Sequence, residues 1–205
     1  LERQADAEVL VLLPVIEAFI LQPSAGSGSS KSPALARQLV SLLDRFSTVY
    51  DYRGIYVVDG NGNVRSQSSS APKPSPETLE YARIAIAQGN SRINLLGESP
   101  QASILTISVP IISKGDEAIP DRPARDVLGA VVLEMSASRS LFPLLTARLL
   151  PTRTGETVIL RRRGKEAVYL SPLRFVPVDL PFSHHSLEVD GLPHAHWEER
   201  TTPEK

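Results

Sequence analysis

Asp51 to Gln67, with the sequence DYRGIYVVDGNGNVRSQ, is the stretch that decides the fold. Ile55 to Val58 are β-branched or aromatic, and the run is bounded by Gly54 before it and by Asp59-Gly60-Asn61-Gly62 after it. Asp-Gly and Asn-Gly supply the positive φ angles that a tight hairpin connection needs. The stretch therefore predicts a nearly apolar central strand, a turn, and a polar second strand, Asn63 to Gln67, nearer an edge or a pocket rim.

The composition is that of a soluble globular protein. Hydrophobic residues make up 41% of the 205 residues and charged residues 22%, which leaves enough apolar side chain for a real core. The net charge of -1 favours neither nucleic acid nor an anionic membrane as a partner. The absence of cysteine excludes disulfides and thiolate metal sites. No run reaches the roughly 18 apolar residues of a membrane span. Because the chain starts at Leu1 without Met or a signal sequence, we interpret it as a piece of a longer protein.

Hydrophobic periodicity predicts helices before and after the hairpin and three more strands. A long amphipathic helix is expected over Leu1 to Leu21, where Pro14 should kink it or mark a start, and a flexible loop follows to residue 33. The remaining predicted elements are helices Ala34 to Val49, Glu77 to Gln88 and Ser136 to Leu150, and strands Arg92 to Leu96, Ser103 to Ile112 and Val127 to Met135. Together they predict an α+β fold, a mostly antiparallel five-stranded sheet with covering helices, over residues 34–150.

A second, smaller unit is expected over residues 151–205. Strands are predicted at Glu156 to Leu160 and Ala167 to Leu170, around a basic turn at Arg161 to Lys165. Ser171 to Lys205 is rich in Pro, His and acidic residues and lacks the strands that would complete a second sheet. We therefore expect this unit to be partial or small.

Four segments in order carry a resemblance to a known family: DYRGIYVVDGNGNVRSQ, LTISVPII, VLGAVVLEMSASRSLFPLL and RTGETVILRRRGKEAVYLSPLRF. From Ala34 to about Phe175 the chain resembles a double Cache domain, the PAS-like extracytoplasmic sensor region of bacterial histidine kinases, diguanylate cyclases and chemoreceptors. The resemblance implies a membrane-distal PAS-like unit followed by a proximal one, which here lacks the strands expected after Trp197. The Tyr, Arg, Trp-Tyr and Asp set of amino-acid-sensing members is not found, although Tyr50 to Arg53 lies near the corresponding region.

What the resemblance implies is a sensor module and not an enzyme. A small molecule of unknown class would bind the distal unit and shift helices that continue into membrane spans outside this chain. The domain would be periplasmic, part of an inner-membrane receptor or two-component system whose kinase or cyclase output lies elsewhere. No cofactor and no metal are expected. A homodimer through the N-terminal helix is a further expectation.

Candidate ligand-binding residues are polar side chains on otherwise apolar elements. Tyr56, Thr106 and Ser108 could point inward from strands, while Arg65, Tyr81 and Arg92 could reach from the rim. An arginine at such a site can hold a carboxylate through two hydrogen bonds. The alternative is that the two hydroxyls face solvent and the arginines form surface ion pairs. Asp59 is expected to accept backbone hydrogen bonds in its own turn.

The alternatives are an interaction module, a metal site and, as a third, an intracellular hydrolase or structural domain, which would predict intact strands after Trp197 and a natural start. In the first, the PAS-like unit is an interaction module that mediates dimerisation or docks a periplasmic protein without a small ligand. In the second, the imidazoles of His184, His185, His194 and His196 bind zinc or nickel, although their spacing fits no closed zinc motif. No nucleophile elbow, phosphate-binding glycine loop or zinc-protease motif is found, so enzyme classes receive no support.

Overall fold

A computed structural model of the chain describes residues 2–22, 32–97, 103–113, 126–146, 159–163, 166–171 and 185–186. The helices are α1 (Glu2–Val11), α2 (Pro14–Ile20), α3 (Pro33–Tyr50), α4 (Pro76–Gln88), α5 (Ala137–Ser140) and α6 (Phe142–Thr146). The strands are β1 (Gly54–Asp59), β2 (Val64–Gln67), β3 (Arg92–Leu96), β4 (Ile104–Ile112), β5 (Val127–Ser136), β6 (Leu160–Arg163), β7 (Glu166–Tyr169) and β8 (His185–Ser186). No helix in these described ranges combines the length and the apolar content needed to cross a membrane.

The first five strands form one antiparallel sheet in the order β2-β1-β5-β4-β3. The hairpin strand β1 is buried along its whole length because it lies between β2 and β5, whereas β2 is a half-buried edge strand. The predicted α+β fold with a five-stranded antiparallel sheet is confirmed.

Each face of the sheet is covered by helices, and the two faces differ in character. On one face α1, α2 and α3 pack over apolar side chains of the central strands, among them Ile55, Val57, Val131 and Leu133. We name this packing the main core. On the other face α4 packs across β3, β4 and β5, and the buried apolar cluster there is much smaller. The α4 face therefore has room for polar side chains that the main core excludes.

In the hairpin turn, Asp59 accepts backbone hydrogen bonds, as predicted. Asp59 Oδ1 accepts hydrogen bonds from the backbone N–H groups of Asn61 and Asn63, at 3.0 and 2.9 Å. Gly62 has φ +82°, a left-handed conformation that a side chain rarely adopts. Gly60 has no such angle, so only the second glycine of the turn is needed for its backbone conformation.

The predicted N-terminal helix is divided at Pro14, which marks a helix start, one of the two outcomes expected for this residue. Pro14 begins α2, since its missing N–H and fixed φ suit the first turn of a helix, and α1 ends at Val11. The third predicted helix is confirmed as α4, where Ser75 Oγ caps the first turn and Gly89, at φ +63°, ends the last.

Three expectations in the second half need correction. The single helix predicted from Ser136 is two short helices, α5 and α6, within the described residues up to 146. Arg161 to Arg163 were assigned to a turn but form strand β6, which pairs with β7. The predicted strand from Glu156 lies mostly outside the described residues. A third strand, β8, pairs with β7, so the second unit contains a small three-stranded sheet.

Candidate functional site

Six polar residues of the sheet lie together beneath α4. We call them the polar row: Tyr56 on β1, Glu134 on β5, Thr106 and Ser108 on β4, and Arg92 and Asn94 on β3. A seventh polar residue, Thr78, reaches the same region from the first turn of α4.

Strand register explains why these side chains share one face. Tyr56 is opposite Val132, which is opposite Ser108, which in turn is opposite Arg92. In the same way, Glu134 is opposite Thr106, which is opposite Asn94. Directly opposed residues of antiparallel strands point to the same side of the sheet, and so do residues two apart on one strand.

Glu134 is the charged centre of the polar row and is only 2% exposed. Its Oε1 accepts a hydrogen bond from Thr78 Oγ1 at 2.7 Å, and its Oε2 accepts one from Tyr56 Oη at 3.1 Å. Both donors are neutral hydroxyls. Among the described side chains, no lysine, arginine or histidine forms an ion pair with this carboxylate. A buried charge without a partner of opposite sign is costly, which makes the site receptive to a cation.

Tyr56 is completely buried, and its hydroxyl lies between two acceptors. Besides Glu134 it reaches the carbonyl oxygen of Pro72 at 2.9 Å. Gly54 makes room for this hydroxyl, because a Cβ at that position would lie 2.6 Å from Tyr56 Oη. Burial, and after it the negative charge of Glu134, raises the pKa of Tyr56 far above its usual range; Arg53 opposes this weakly.

The raised pKa predicts a loss of stability in alkali, to which Tyr52 contributes as well. Burial and the hydrogen bond to Asp6 raise the pKa of Tyr52 far above its usual range. In the unfolded chain tyrosine ionises near pH 10, while in the folded chain both hydroxyls stay protonated. The contribution of these two tyrosines to the free energy of unfolding is thus complete below about pH 10. Above that pH the free energy of unfolding falls by about 1.4 kcal/mol per pH unit for each tyrosine. Urea unfolding from pH 8 to 11.5 should show this slope, and the Tyr52→Phe and Tyr56→Phe double variant should flatten it. An equally steep loss in the double variant would contradict the assignment.

Four polar atoms of the polar row are buried without a hydrogen-bond partner among the described residues: Arg92 Nε, Asn94 Nδ2, Thr106 Oγ1 and Ser108 Oγ. Thr106 and Ser108 are fully buried residues, whereas the two β3 residues are half-buried. An unsatisfied buried donor or acceptor costs about 1–3 kcal/mol, and most buried polar groups in folded proteins are paired. Four such atoms on two neighbouring strands make the polar row the candidate site.

The sequence-predicted site residues fall into two groups. Tyr56, Arg92, Thr106 and Ser108 are brought together in the polar row. Tyr81 is a half-buried residue of α4, one helical turn after Thr78. Arg65 is directed elsewhere. Its guanidinium donates to the carbonyl of Gln22 at 2.9 Å and lies 5.9 Å from the ring centroid of Phe19 in α2, a residue of the main core.

Three residues of the site were missed by sequence reasoning: Glu134, Asn94 and Thr78. Glu134 carried a usable signal, because it is the one charged residue in the otherwise apolar stretch VLGAVVLEM. A lone carboxylate in a strand expected to be buried should be treated as a site residue. Asn94 and Thr78 carried no comparable signal, since their place beside Glu134 depends on strand register and on where α4 packs.

A depression on the described surface lies away from the polar row, on α3. It has a volume of about 800 Å³ and is lined by α3 residues that include Arg37, Val40, Asp44 and Val49. It contains none of the unpartnered buried polar atoms. The polar row, which α4 covers, is therefore the candidate site.

Exposed apolar side chains occur on α1. Val9 is 52% exposed and Leu12, just after α1, is 61% exposed, although Leu10 between them is buried in the main core. A homodimer through this helix stays a prediction. No cluster of three potential metal ligands is found among the described residues, while most of the histidine-rich segment, including His184 and His194, lies outside them.

Comparison with known proteins gives matches only among solved structures. No family model matches, and no curated protein matches. In fold, the chain is similar to bacterial sensor domains. It aligns with the ligand-binding domain of the Campylobacter jejuni chemoreceptor Tlp3 in complex with L-valine at 12% identity and a TM-score of 0.42, covering 66% of this chain and 52% of that one.

Two further matches belong to the same class of protein. The ligand-binding domain of the Pseudomonas aeruginosa amino acid chemoreceptor PctC, in complex with GABA, aligns at 15% identity with a TM-score of 0.41, covering 71% of this chain and 57% of that one. The sensor domain of the Vibrio cholerae histidine kinase DctB aligns at 12% identity with a TM-score of 0.43, covering 84% and 83%. In these two chemoreceptor alignments the chain spans little more than half the length of the matched domain.

Proposed function

We propose that this chain is the ligand-sensing domain of a membrane-bound signalling receptor and that the polar row binds its small-molecule ligand. The observation that carries the proposal is made within the described part of the chain: four buried polar atoms without a hydrogen-bond partner lie next to a buried carboxylate that forms no ion pair. A protein that used this face only for packing would gain stability by replacing these side chains with apolar ones. Retaining them is understandable if a ligand satisfies them.

The arrangement of charges favours a ligand with a cationic group at one end and an acceptor or anion at the other. Glu134 on β5 would hold the cation, while the unpartnered N–H groups of Arg92 and Asn94 on β3 would donate to the other end. The two hydroxyls of β4 lie between them. Since β5 and β3 are two strand spacings apart, or about 10 Å, the ligand must bridge more than one strand.

A relay from the site toward the N-terminal helix has a physical basis in the contacts of Glu134. Its backbone carbonyl accepts the N–H of Arg53 at 2.8 Å. The neighbouring Tyr52 donates its hydroxyl to Asp6 of α1 at 2.7 Å, and Arg3 of α1 lies 5.5 Å from the ring centroid of Tyr52. Strand β5 is thus linked to α1 through Arg53, Tyr52 and a half-buried hydrogen bond to Asp6. This linkage supports a signal carried through α1 to membrane segments outside the chain, with the domain on the periplasmic side.

The test is a thermal-shift panel sorted by charge. It contains the zwitterions glycine, β-alanine, 4-aminobutyrate and 5-aminopentanoate, with ethylammonium, propionate and glycerol as cationic, anionic and neutral controls. A ligand that binds only the folded state at a hundredfold excess over Kd stabilises it by about 2.7 kcal/mol. We expect a reproducible shift with one or more zwitterions. The absence of any shift with these zwitterions and with ethylammonium would overturn the proposed function.

Replacement of Thr106 with Val should increase the stability of the protein and weaken its binding of the ligand. The Thr106 hydroxyl is fully buried and unpartnered, so its removal should raise the free energy of unfolding of the ligand-free protein by about 1 kcal/mol. The same change should weaken the binding of any zwitterion that gives a shift. Thr48→Val is the matched control, because the Thr48 hydroxyl is exposed and donates to the carbonyl of Asp44 at 2.9 Å. Destabilisation by Thr106→Val, measured in urea, would mean that this hydroxyl is satisfied within the protein.

A further inference from the structure

Thr78 ties α4 to the sheet through the same carboxylate that forms the cation site. Its side chain is 1% exposed, and its Oγ1 donates to Glu134 Oε1 at 2.7 Å. A hydrogen bond to an ionised carboxylate is about twice as strong as one between neutral groups. Thr78 also belongs to the helix cap, since its backbone N–H donates to Ser75 Oγ at 3.0 Å. The first turn of α4 is therefore attached to the Glu134 carboxylate by this hydrogen bond.

The rest of the packing of α4 on β3, β4 and β5 is made by small buried side chains. The buried residues of the helix are Thr78, Ala82 and Ala85, whose small side chains bury little apolar area. Its larger apolar residues, Leu79 and Ile86, are only partly buried. For comparison, the helices of the main core bury Leu10, Phe19, Leu39 and Leu43. The buried side chains of α4 are thus smaller than the Leu, Ile and Phe side chains that α1, α2 and α3 bury.

The site is closed while α4 remains in place. The four unpartnered atoms of the polar row are buried from solvent, and α4 packs across both strands that contribute them, β3 and β4. A ligand that reaches them must first displace part of this helix. The position of α4 and the occupancy of the site are therefore coupled.

We propose that α4 is a lid over the polar row and that the hydrogen bond from Thr78 to Glu134 is its latch. The proposal rests on the proposed function. The cationic group of the ligand and the Thr78 hydroxyl compete for Glu134 Oε1, so ligand binding replaces the latch bond and releases the start of α4. Because the ligand reaches the carboxylate only in the released arrangement, its differential affinity shifts α4 toward that arrangement. Ligand binding at the sheet is thereby converted into a movement of one helix.

The first measurement uses the ligand-free protein and tests the latch alone. Thr78→Val retains the shape of the side chain and removes the donor. Hydrogen exchange of the amides in residues 79–85 should then become roughly tenfold faster, as expected for the loss of a hydrogen bond to a charged group. Exchange in α3 serves as an internal reference, and Thr48→Val, which removes an exposed hydroxyl of α3, serves as the control variant. Unchanged exchange in α4 of Thr78→Val would overturn the latch.

The second measurement tests the competition, with the zwitterion of the panel that binds the wild type and with ethylammonium as the cationic probe. Without the Thr78 hydroxyl the cation no longer has to displace a donor, so Kd should fall roughly tenfold in Thr78→Val. An unchanged or higher Kd in Thr78→Val would overturn the latch. Binding of the same ligand to the wild type would still support the proposed function. Absence of binding to both proteins would overturn the proposed function itself.

Discussion

Gly129→Ala should destabilise the protein by about 3 kcal/mol. Gly129 lies on β5 opposite Asp59 at the end of the β1 ladder. A Cβ at this position would collide with the carbonyl oxygen of Val58 and would also lie 3.2 Å from Asp59 Cα. The obstacle is backbone and cannot move aside as a flexible side chain could. The two central strands of the sheet would have to separate locally.

Gly60→Ala is the matched control, because it changes the same residue type in the adjoining turn. A Cβ on Gly60 would be 3.5 Å from the carbonyl oxygen of Leu128, an ordinary contact, and its backbone conformation suits any residue. We expect a change within about 0.5 kcal/mol for Gly60→Ala. Urea unfolding followed by circular dichroism would compare the two, and Gly129→Ala should also lower Tm by about 6–12 °C. Equal stability of the two variants would show that β1 and β5 are less closely apposed than described.

The sheet was largely predictable because its strands are marked locally. The run Ile55 to Val58 and the turn after it specify a buried hairpin, and β3 was placed to the residue from its flanking Gly and polar positions. The helix after Met135 was not correctly predicted. Its apolar residues have a helical period, but Ser136 offers no side-chain cap hydrogen bond and the helix breaks at Leu141, which follows α5. Local periodicity does not report such a break.

The candidate site was predictable only in part, for reasons of register. Thr106 and Ser108 alternate with apolar neighbours, so the sequence shows that they share a face but not whether that face meets solvent or a helix. The structure shows α4 above them, and both are fully buried. Arg65 was predicted to reach the site, but its side chain contacts Gln22 and Phe19 instead. Its position on the second hairpin strand is compatible with either face, and a β-bulge between Val57 and Val58 affects the pairing there.

Glu134→Gln should reduce the affinity for a zwitterionic ligand by about 100-fold or more while leaving the protein folded. Truncating one partner of a buried charge pair costs about 2–5 kcal/mol of binding free energy, and each 1.4 kcal/mol is tenfold. The amide retains the size of the side chain and can still exchange hydrogen bonds with the hydroxyls of Tyr56 and Thr78, which now touch the carboxylate. It removes only the charge. Since that charge is buried without a cation among the described residues, its loss should cost the ligand-free protein less than about 1 kcal/mol and can stabilise it.

Glu80→Gln provides the control for this prediction, because Glu80 is an exposed residue of the same helix that covers the site and pairs with Arg83 at 3.4 Å. Its substitution should leave affinity unchanged. Calorimetric titration with the zwitterion that binds the wild type, alongside urea unfolding of each variant, separates the two quantities. Wild-type affinity in Glu134→Gln would place the ligand's cation elsewhere. A loss of both stability and binding would instead make the carboxylate part of the packing of α4. Only a loss of binding without a loss of stability shows that the charge of Glu134 serves ligand binding and not folding.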